Sequence, residues 1–200
     1  ELGKINGKEY IVKTIVTTET IKTIAERNGV EMYDVYTGFK WIANVMRENE
    51  GKKNYIGGGE ESYGFLCEDF VRDKDAVSAC VILAEIAAWA KDQGLSLYQL
   101  LQKIYVEYGF SKEKGISVVK KGKSGAEEIE AMMKKFRENP LTEIAGSKVT
   151  YFYDYSTLKG KDYAENETVT LDMPTTSNVL QYVTEDNTKV SILSLIHISE

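Results

Sequence analysis

Residues 57–64 read GGGEESYG: three glycines, two adjacent glutamates, a serine, a tyrosine and a fourth glycine. Ionised carboxylates only accept hydrogen bonds, so Glu60 and Glu61 side by side suit a ligand rich in vicinal hydroxyls. Lys40, at the start of a predicted helix, supplies a compact positive charge where backbone N–H groups already favour anions. A cation beside such carboxylates fits a polyol bearing a phosphate. Glycines before the acids let the backbone approach that ligand closely. The same residues also read as a solvated loop and a surface lysine, and the pattern alone leaves those readings open.

The elements that must bring Lys40 to the acids follow from periodicity. YIVKTIVTT at 10–18 is rich in β-branched residues and predicts a strand. ETIKTIAERNG predicts a helix with Ile21, Ile24 and Ala25 on one face and a stop at Asn28-Gly29. VEMYDVY at 30–36 predicts a second strand. TGFKWIANVMREN predicts a helix capped by Thr37, with Phe39, Ile42, Val45 and Met46 inward. KNYIGG at 53–58 predicts a third strand. Strands alternating with helices imply right-handed βαβ crossovers and a largely parallel sheet, whose strand ends share one ligand-binding edge. Lys40 and the glutamate pair should converge there.

Asp75 can cap the apolar helix 76–91, which should lie on the sheet and be covered on its far side too. Ser96 and Gln99 form a capping box for a helix ending at Gly109. Residues 1–110 therefore predict a three-layer α/β/α domain with a largely parallel mixed sheet. Lysine and glycine then cluster, and the boundary is placed at Ser111. Residues 111–192 predict a small α+β domain: a strand at ISVVKKG, a helix capped by Ser124 and Glu127 with Ile129, Met132, Met133 and Phe136 inward, and strands in KVTYFYDYSTL, TVTLDM and NVLQYVTEDNTKVSI, the last broken by a turn at 185–187.

Apolar residues make up 42% of the 200 and charged residues 28%, with a net charge of −6. That composition supports a packed core and offers no basic stripe for nucleic acid or anionic membrane. The longest apolar stretch, 76–90, carries Glu85 and is shorter than a bilayer demands. Cys67 and Cys80 have neither CxxC spacing nor nearby histidines and read as reduced, packed thiols. Together these features predict a cytoplasmic protein. The chain opens at Glu1 without methionine, in what reads as the middle of a fold, and is expected to be a piece of something longer. Glu68, Asp69, Asp73 and Asp75 lack calcium-loop spacing; capping by Asp75 and pairing of Arg72 with a nearby acid are preferred. His197 has no nucleophile context.

GGGEESYGFL followed by DFVRDKDAVSA, with TGFKWI about twenty residues upstream, resembles the third domain of the α-D-phosphohexomutases, in particular bacterial phosphoglucomutase/phosphomannomutase. SNVLQYVTEDNTKVSI is similar to strands of the family's fourth domain, so the resemblance spans residues 1–192. It implies a reaction that interconverts hexose 1-phosphate and hexose 6-phosphate through a bisphosphorylated intermediate, with hexose phosphate as substrate. By the same resemblance Glu60 and Ser62 grip sugar hydroxyls, Gly59 and Glu61 shape the loop, and Lys40 lies beside the phosphosugar. The implied phosphoserine nucleophile and Mg²⁺ site belong to N-terminal domains absent from this chain. Glucose 1,6-bisphosphate is the implied activator and intermediate, and the fragment alone is expected to be inactive. After KVSI the family's phosphate-binding loop is replaced by LSLIHISE, so residues 193–200 are expected to be a non-native tail. A tyrosine after Glu-Glu-Ser favours glucose without excluding mannose. A non-catalytic sugar-phosphate-binding module, a phosphopentomutase of the same family and a purely structural domain are the alternatives. A nucleotide is disfavoured, since two carboxylates repel a pyrophosphate and no GxGxxG opens a helix.

Overall fold

A computed structural model describes residues 5–194, in two units that divide between Lys114 and Gly115, four residues past the boundary expected after residue 110. The first unit runs β1 (Glu9–Thr14), α1 (Thr20–Arg27), β2 (Glu31–Val35), α2 (Phe39–Asn49), β3 (Asn54–Gly59), β4 (Phe65–Cys67), α3 (Ala76–Asp92) and α4 (Leu97–Tyr108). Its sheet has the order β2-β1-β3-β4. Strand β1 is parallel to both β2 and β3, while β4 is antiparallel to β3.

Side-chain alternation puts Tyr10 and Val12 of β1 on one face, where they meet Tyr55 and Leu66 of neighbouring strands. Helix α2 lays Phe39, Ile42 and Met46 onto that face, and Ile42 and Leu66 are 0% exposed. This amphipathic stripe is legible as i, i+3, i+7 spacing. Strand β1 stops at Thr14, short of the expected residue 18, because Thr17 N–H turns back to the Thr14 carbonyl (3.0 Å). Thr37 does not cap α2; Gly38 holds that position at φ 120°, a conformation glycine alone adopts freely.

The GGG segment belongs to the sheet. A Cβ on Gly58 would stand 2.4 Å from the Val12 carbonyl oxygen and 2.7 Å from the Tyr55 hydroxyl, so the missing side chain admits a neighbouring strand, where the sequence reading has it admit a ligand. Residues 60–64 then form the turn of a β3–β4 hairpin.

Helix α3 departs furthest from expectation. Asp75 caps it, accepting from Ser78 N–H (2.9 Å) and Val77 N–H (3.3 Å). The expected two-sided cover is missing: Val77 is 74% and Trp89 55% exposed, and Ala90 is its one buried residue. Helix α4 carries the expected capping box, with Ser96 Oγ accepting from Gln99 N–H (3.2 Å) and Gln99 Oε1 accepting from Ser96 N–H (2.8 Å).

The second unit comprises α5 (Gly122–Glu138), β5 (Glu143–Ile144), β6 (Ser147–Asp154), β7 (Lys159–Asp162), β8 (Glu167–Thr170), β9 (Val179–Thr184) and β10 (Lys189–Leu193). Its sheet is antiparallel, ordered β10-β9-β6-β7-β8 with β5 beside β6. Met133 of α5 packs with Val149, Phe152, Leu180 and Tyr182. The Tyr182 hydroxyl donates to the Phe136 carbonyl (3.0 Å) and Arg137 pairs with Asp154 (2.9 Å), fixing helix to sheet. The expected strand at 116–122 is absent, and Ile116, Val118 and Val119 lie exposed with no partner strand. Neither Ser124 nor Glu127 caps α5, which begins earlier, at Gly122, after Lys121. Met132, expected inward, is 39% exposed. The tail expected from residue 193 lies, after Ser194, outside the described residues, and so does His197. Among the described residues no helix is long and apolar enough to cross a membrane.

Candidate functional site

Because β1, β2 and β3 run parallel, the chain leaves all three at one edge of the sheet. Three segments meet there. Glu61 Oε2 accepts from the Thr14 hydroxyl at the end of β1 (2.7 Å), and its Oε1 accepts from the Thr37 hydroxyl after β2 (2.9 Å). Glu60 Oε1 accepts from the Gly38 backbone N–H (2.6 Å). The Thr14 hydroxyl has one proton, which goes to Glu61, so the contact of Thr17 Oγ1 with Thr14 Oγ1 (2.9 Å) is donated by Thr17. Thr14 is 0% exposed. A buried hydroxyl pair thus anchors the Glu61 carboxylate.

The hairpin closes beneath the acids. Glu60 N–H donates to the Gly64 carbonyl (2.7 Å), and Tyr63 at φ 65° carries the turn with its side chain fully exposed. A Cβ on Gly64 would lie 2.5 Å from Glu60 Oε2, so the fourth glycine makes room for a carboxylate. Ser62 is exposed at the tip.

The α2 N-terminus, expected to favour a ligand anion, is occupied by the Glu60 carboxylate. Its negative charge beside free N–H groups is stabilising by the same dipole argument. Lys40 stands in the first turn of α2, two residues after the Gly38 that Glu60 holds. Its ammonium lies over the Trp41 ring (5.2 Å to the centroid), and among the described residues it forms no ion pair with Glu60. The fold therefore gathers Gly59, Glu60, Glu61 and Ser62 with Thr37 and Gly38 at one rim, and sets Lys40 beside them with its amine over an aromatic face.

Thr14 and Lys13 are absent from the sequence reading. Lys13 is fully buried, with its ammonium 2.6 Å from Asp34 and 3.2 Å from Glu19. Its neighbour across the parallel pair, Asp34, is the available signal: a lysine amid β-branched residues, facing an aspartate in the next strand, reads as a compensated buried charge. Thr37 figures in the sequence as a cap, and no spacing rule connects its hydroxyl to an acid 24 residues on.

Elsewhere the acids serve local structure. Arg72 pairs with Glu50 (3.3 Å) and Lys74 with Asp73 (3.0 Å). Hydrogen bonding from Ser78 holds the Asp75 carboxyl below the usual aspartate range, and the Lys74 contact does the same for Asp73. Burial pushes the Cys67 thiol up, which keeps it protonated, whereas Cys80, expected to be packed, is exposed on the uncovered α3. Among the described residues no group of three or more His, Cys, Asp or Glu is disposed to hold a metal.

Residues 1–108 match a family described as phosphoglucomutase/phosphomannomutase, alpha/beta/alpha domain III. A phosphoglucomutase of Staphylococcus haemolyticus (strain JCSC1435) is 36% identical over 168 residues, which is 84% of this chain and 30% of the relative. A phosphoglucomutase of Staphylococcus aureus (strain bovine RF122 / ET3-1) is 40% identical over 169 residues, 84% of this chain and 29% of the relative. The chain thus spans less than a third of the length of these relatives. The exocytosis-sensitive phosphoprotein pp63/parafusin, a phosphoglucomutase from Paramecium solved in its open form, is similar in fold with TM-score 0.53 and 18% identity, covering 90% of this chain and 29% of that one.

Proposed function

The chain belongs to the phosphoglucomutase/phosphomannomutase family, and from that premise we propose that it supplies the sugar-binding part of a mutase interconverting hexose 1-phosphate and hexose 6-phosphate through a bisphosphorylated intermediate. Glu60 and Ser62 accept from and donate to ring hydroxyls, Gly59 and Glu61 shape the turn, and Lys40 meets the phosphate. The phosphoserine nucleophile and Mg²⁺, which neutralises charge on the transferring group, are contributed by other parts of the enzyme. Glucose 1,6-bisphosphate is the intermediate that turns over within the site.

The observation that carries this reading is the junction of three strand exits at Glu60 and Glu61, with hydrogen bonds of 2.6, 2.7 and 2.9 Å. Phosphoryl transfer depends on positioning and on cationic stabilisation of spreading charge. A turn whose acids are tethered to two neighbouring connections, and whose tip serine is open, is suited to positioning: Glu60 Oε2 and the Ser62 hydroxyl are offered from a braced backbone. With no nucleophile assigned to it, this portion orients substrate and does not transfer the phosphoryl group.

Titrating glucose 1-phosphate into the ¹⁵N-labelled chain tests the reading. Shifts are expected at the amides of residues 38–40 and 59–63, weakened in Glu60→Ala and Lys40→Ala. An unmoved spectrum in the unmutated chain would leave a purely structural domain. Mutase turnover by the purified chain would overturn the expectation that it is inert.

A further inference from the structure

Past α4 the chain returns to the connection between β1 and α1, residues 15–19. The Thr18 hydroxyl there lies 3.4 Å from the Ser111 hydroxyl, 93 residues on, and both belong to the first unit, which runs to Lys114. The one proton of Ser111 Oγ goes to Glu113 Oε1 (2.7 Å), so Thr18 is the donor to Ser111. Its neighbour behaves in the same way: Thr17 donates to Thr14, which donates to Glu61. Two adjacent threonines thus start two hydroxyl relays. The inner one ends on a glutamate of the sugar-binding turn, the outer one on a glutamate of the segment by which the chain leaves the first unit.

The connection that carries both relays is stiff. Lys13 donates to the Thr14 and Thr17 carbonyls (3.3 and 3.5 Å) and pairs with Glu19 (3.2 Å), and Ile15 N–H donates to the Val35 carbonyl (2.8 Å). A stiff segment passes a displacement of Thr18 on to Thr17, one residue away, where a loose one would absorb it. The outer relay, by contrast, opens readily. Ser111 is half-buried and Glu113 exposed, so water can replace their bonds, and Thr18 has a second acceptor at hand in Thr20 Oγ1 (3.2 Å). A hydroxyl with one proton and two acceptors has two resting positions.

We propose that residues 111–113 form a clasp on the β1–α1 connection that regulates the sugar-binding turn, an inference that rests on the mutase reading of that turn. Closed, the clasp seats Thr18 on Ser111 while the inner relay holds Glu61. Open, Thr18 turns to Thr20, the connection relaxes, and the Thr14 hydroxyl no longer fixes the Glu61 carboxylate. Ser111 and Glu113 act through Thr14 and are positioning residues. Whatever draws the chain off the connection past Phe110 therefore loosens the turn's grip on a sugar hydroxyl.

The amides of Val16 and Thr17 bond to Thr14 Oγ1 (3.3 and 3.2 Å) and report on the inner relay without any ligand. The test measures hydrogen exchange on the ¹⁵N-labelled 200-residue chain, unmutated and as Ser111→Ala and Ser111→Thr, followed by titration with glucose 1-phosphate. Ser111→Ala is expected to speed exchange at residues 16, 17 and 60 about fivefold, the loss of one hydrogen bond, and to weaken glucose 1-phosphate by the same factor. Ser111→Thr, which keeps the hydroxyl, restores both. Exchange at Ile42 and Met46 stays unchanged, which separates release of the clasp from a general loss of stability. Unchanged exchange at 16, 17 and 60 in Ser111→Ala, equal losses in the two variants, or a glucose 1-phosphate affinity indifferent to Ser111→Ala each overturns the proposal. If glucose 1-phosphate moves no amide of the unmutated chain, the mutase reading falls, and the exchange measurement alone still decides whether the clasp reaches the turn.

Discussion

Helices α2 and α3 follow strands of the same sheet, and the chain treats them in opposite ways. Helix α2 has a stripe of apolar residues and a polar back; the stripe is sealed on the sheet, with Ile42 and Met46 at 0% and 1% exposure. Helix α3 is apolar all round and leaves Val77, Val81, Leu83, Ile86 and Trp89 open. A single contact face satisfies the first pattern and leaves most of the second in water, because one sheet covers only one side of a cylinder. An apolar pattern specifies how much surface is to be buried; the partner that buries it is a separate matter.

That contrast has measurable consequences. Replacing Ile42 by alanine should cost about 2–5 kcal/mol in urea unfolding followed by circular dichroism, since it opens a cavity under a sealed stripe. Val77→Ala should stay within about 0.5 kcal/mol. Equal losses would erase the distinction between the two helices. Gly58→Ala comes next: its methyl group has no room beside the Val12 carbonyl, and about 1–3 kcal/mol is expected from forced strand displacement. Thr14→Val keeps the shape but removes the donor to Glu61, at about 1 kcal/mol in the same assay. The smallest effect belongs to the α3 cap. The folded Asp75 carboxyl lies below the ordinary aspartate value, so its contribution is present above about pH 4 and is lost as pH falls through the folded value. Acid titration of stability should therefore be flatter below pH 4 in Asp75→Asn than in the unmutated chain.

Much of the first unit is legible in the sequence because local rules operate there. The α4 capping box, the Asn28-Gly29 stop and the α2 stripe each follow from neighbours three or four residues away. The hairpin is not legible: β3 is read from KNYIGG, but its partner β4 is three residues long, too short to show alternation. ISVVKKG has strand-like composition without a partner, and composition alone forms no ladder. At the rim, the acids and Lys40 stand out by type, while Thr14 is silent because its role arises from contact between the end of β1 and the hairpin.

Gly64 ties two choices together. With a carboxylate oxygen where its side chain would be, a larger residue at 64 displaces the Glu60 head, and with it the bond to the Gly38 N–H. Any ligand that draws the Glu60 head outward must also release the Gly38 N–H, so the start of α2 would register occupancy of the turn without touching the ligand.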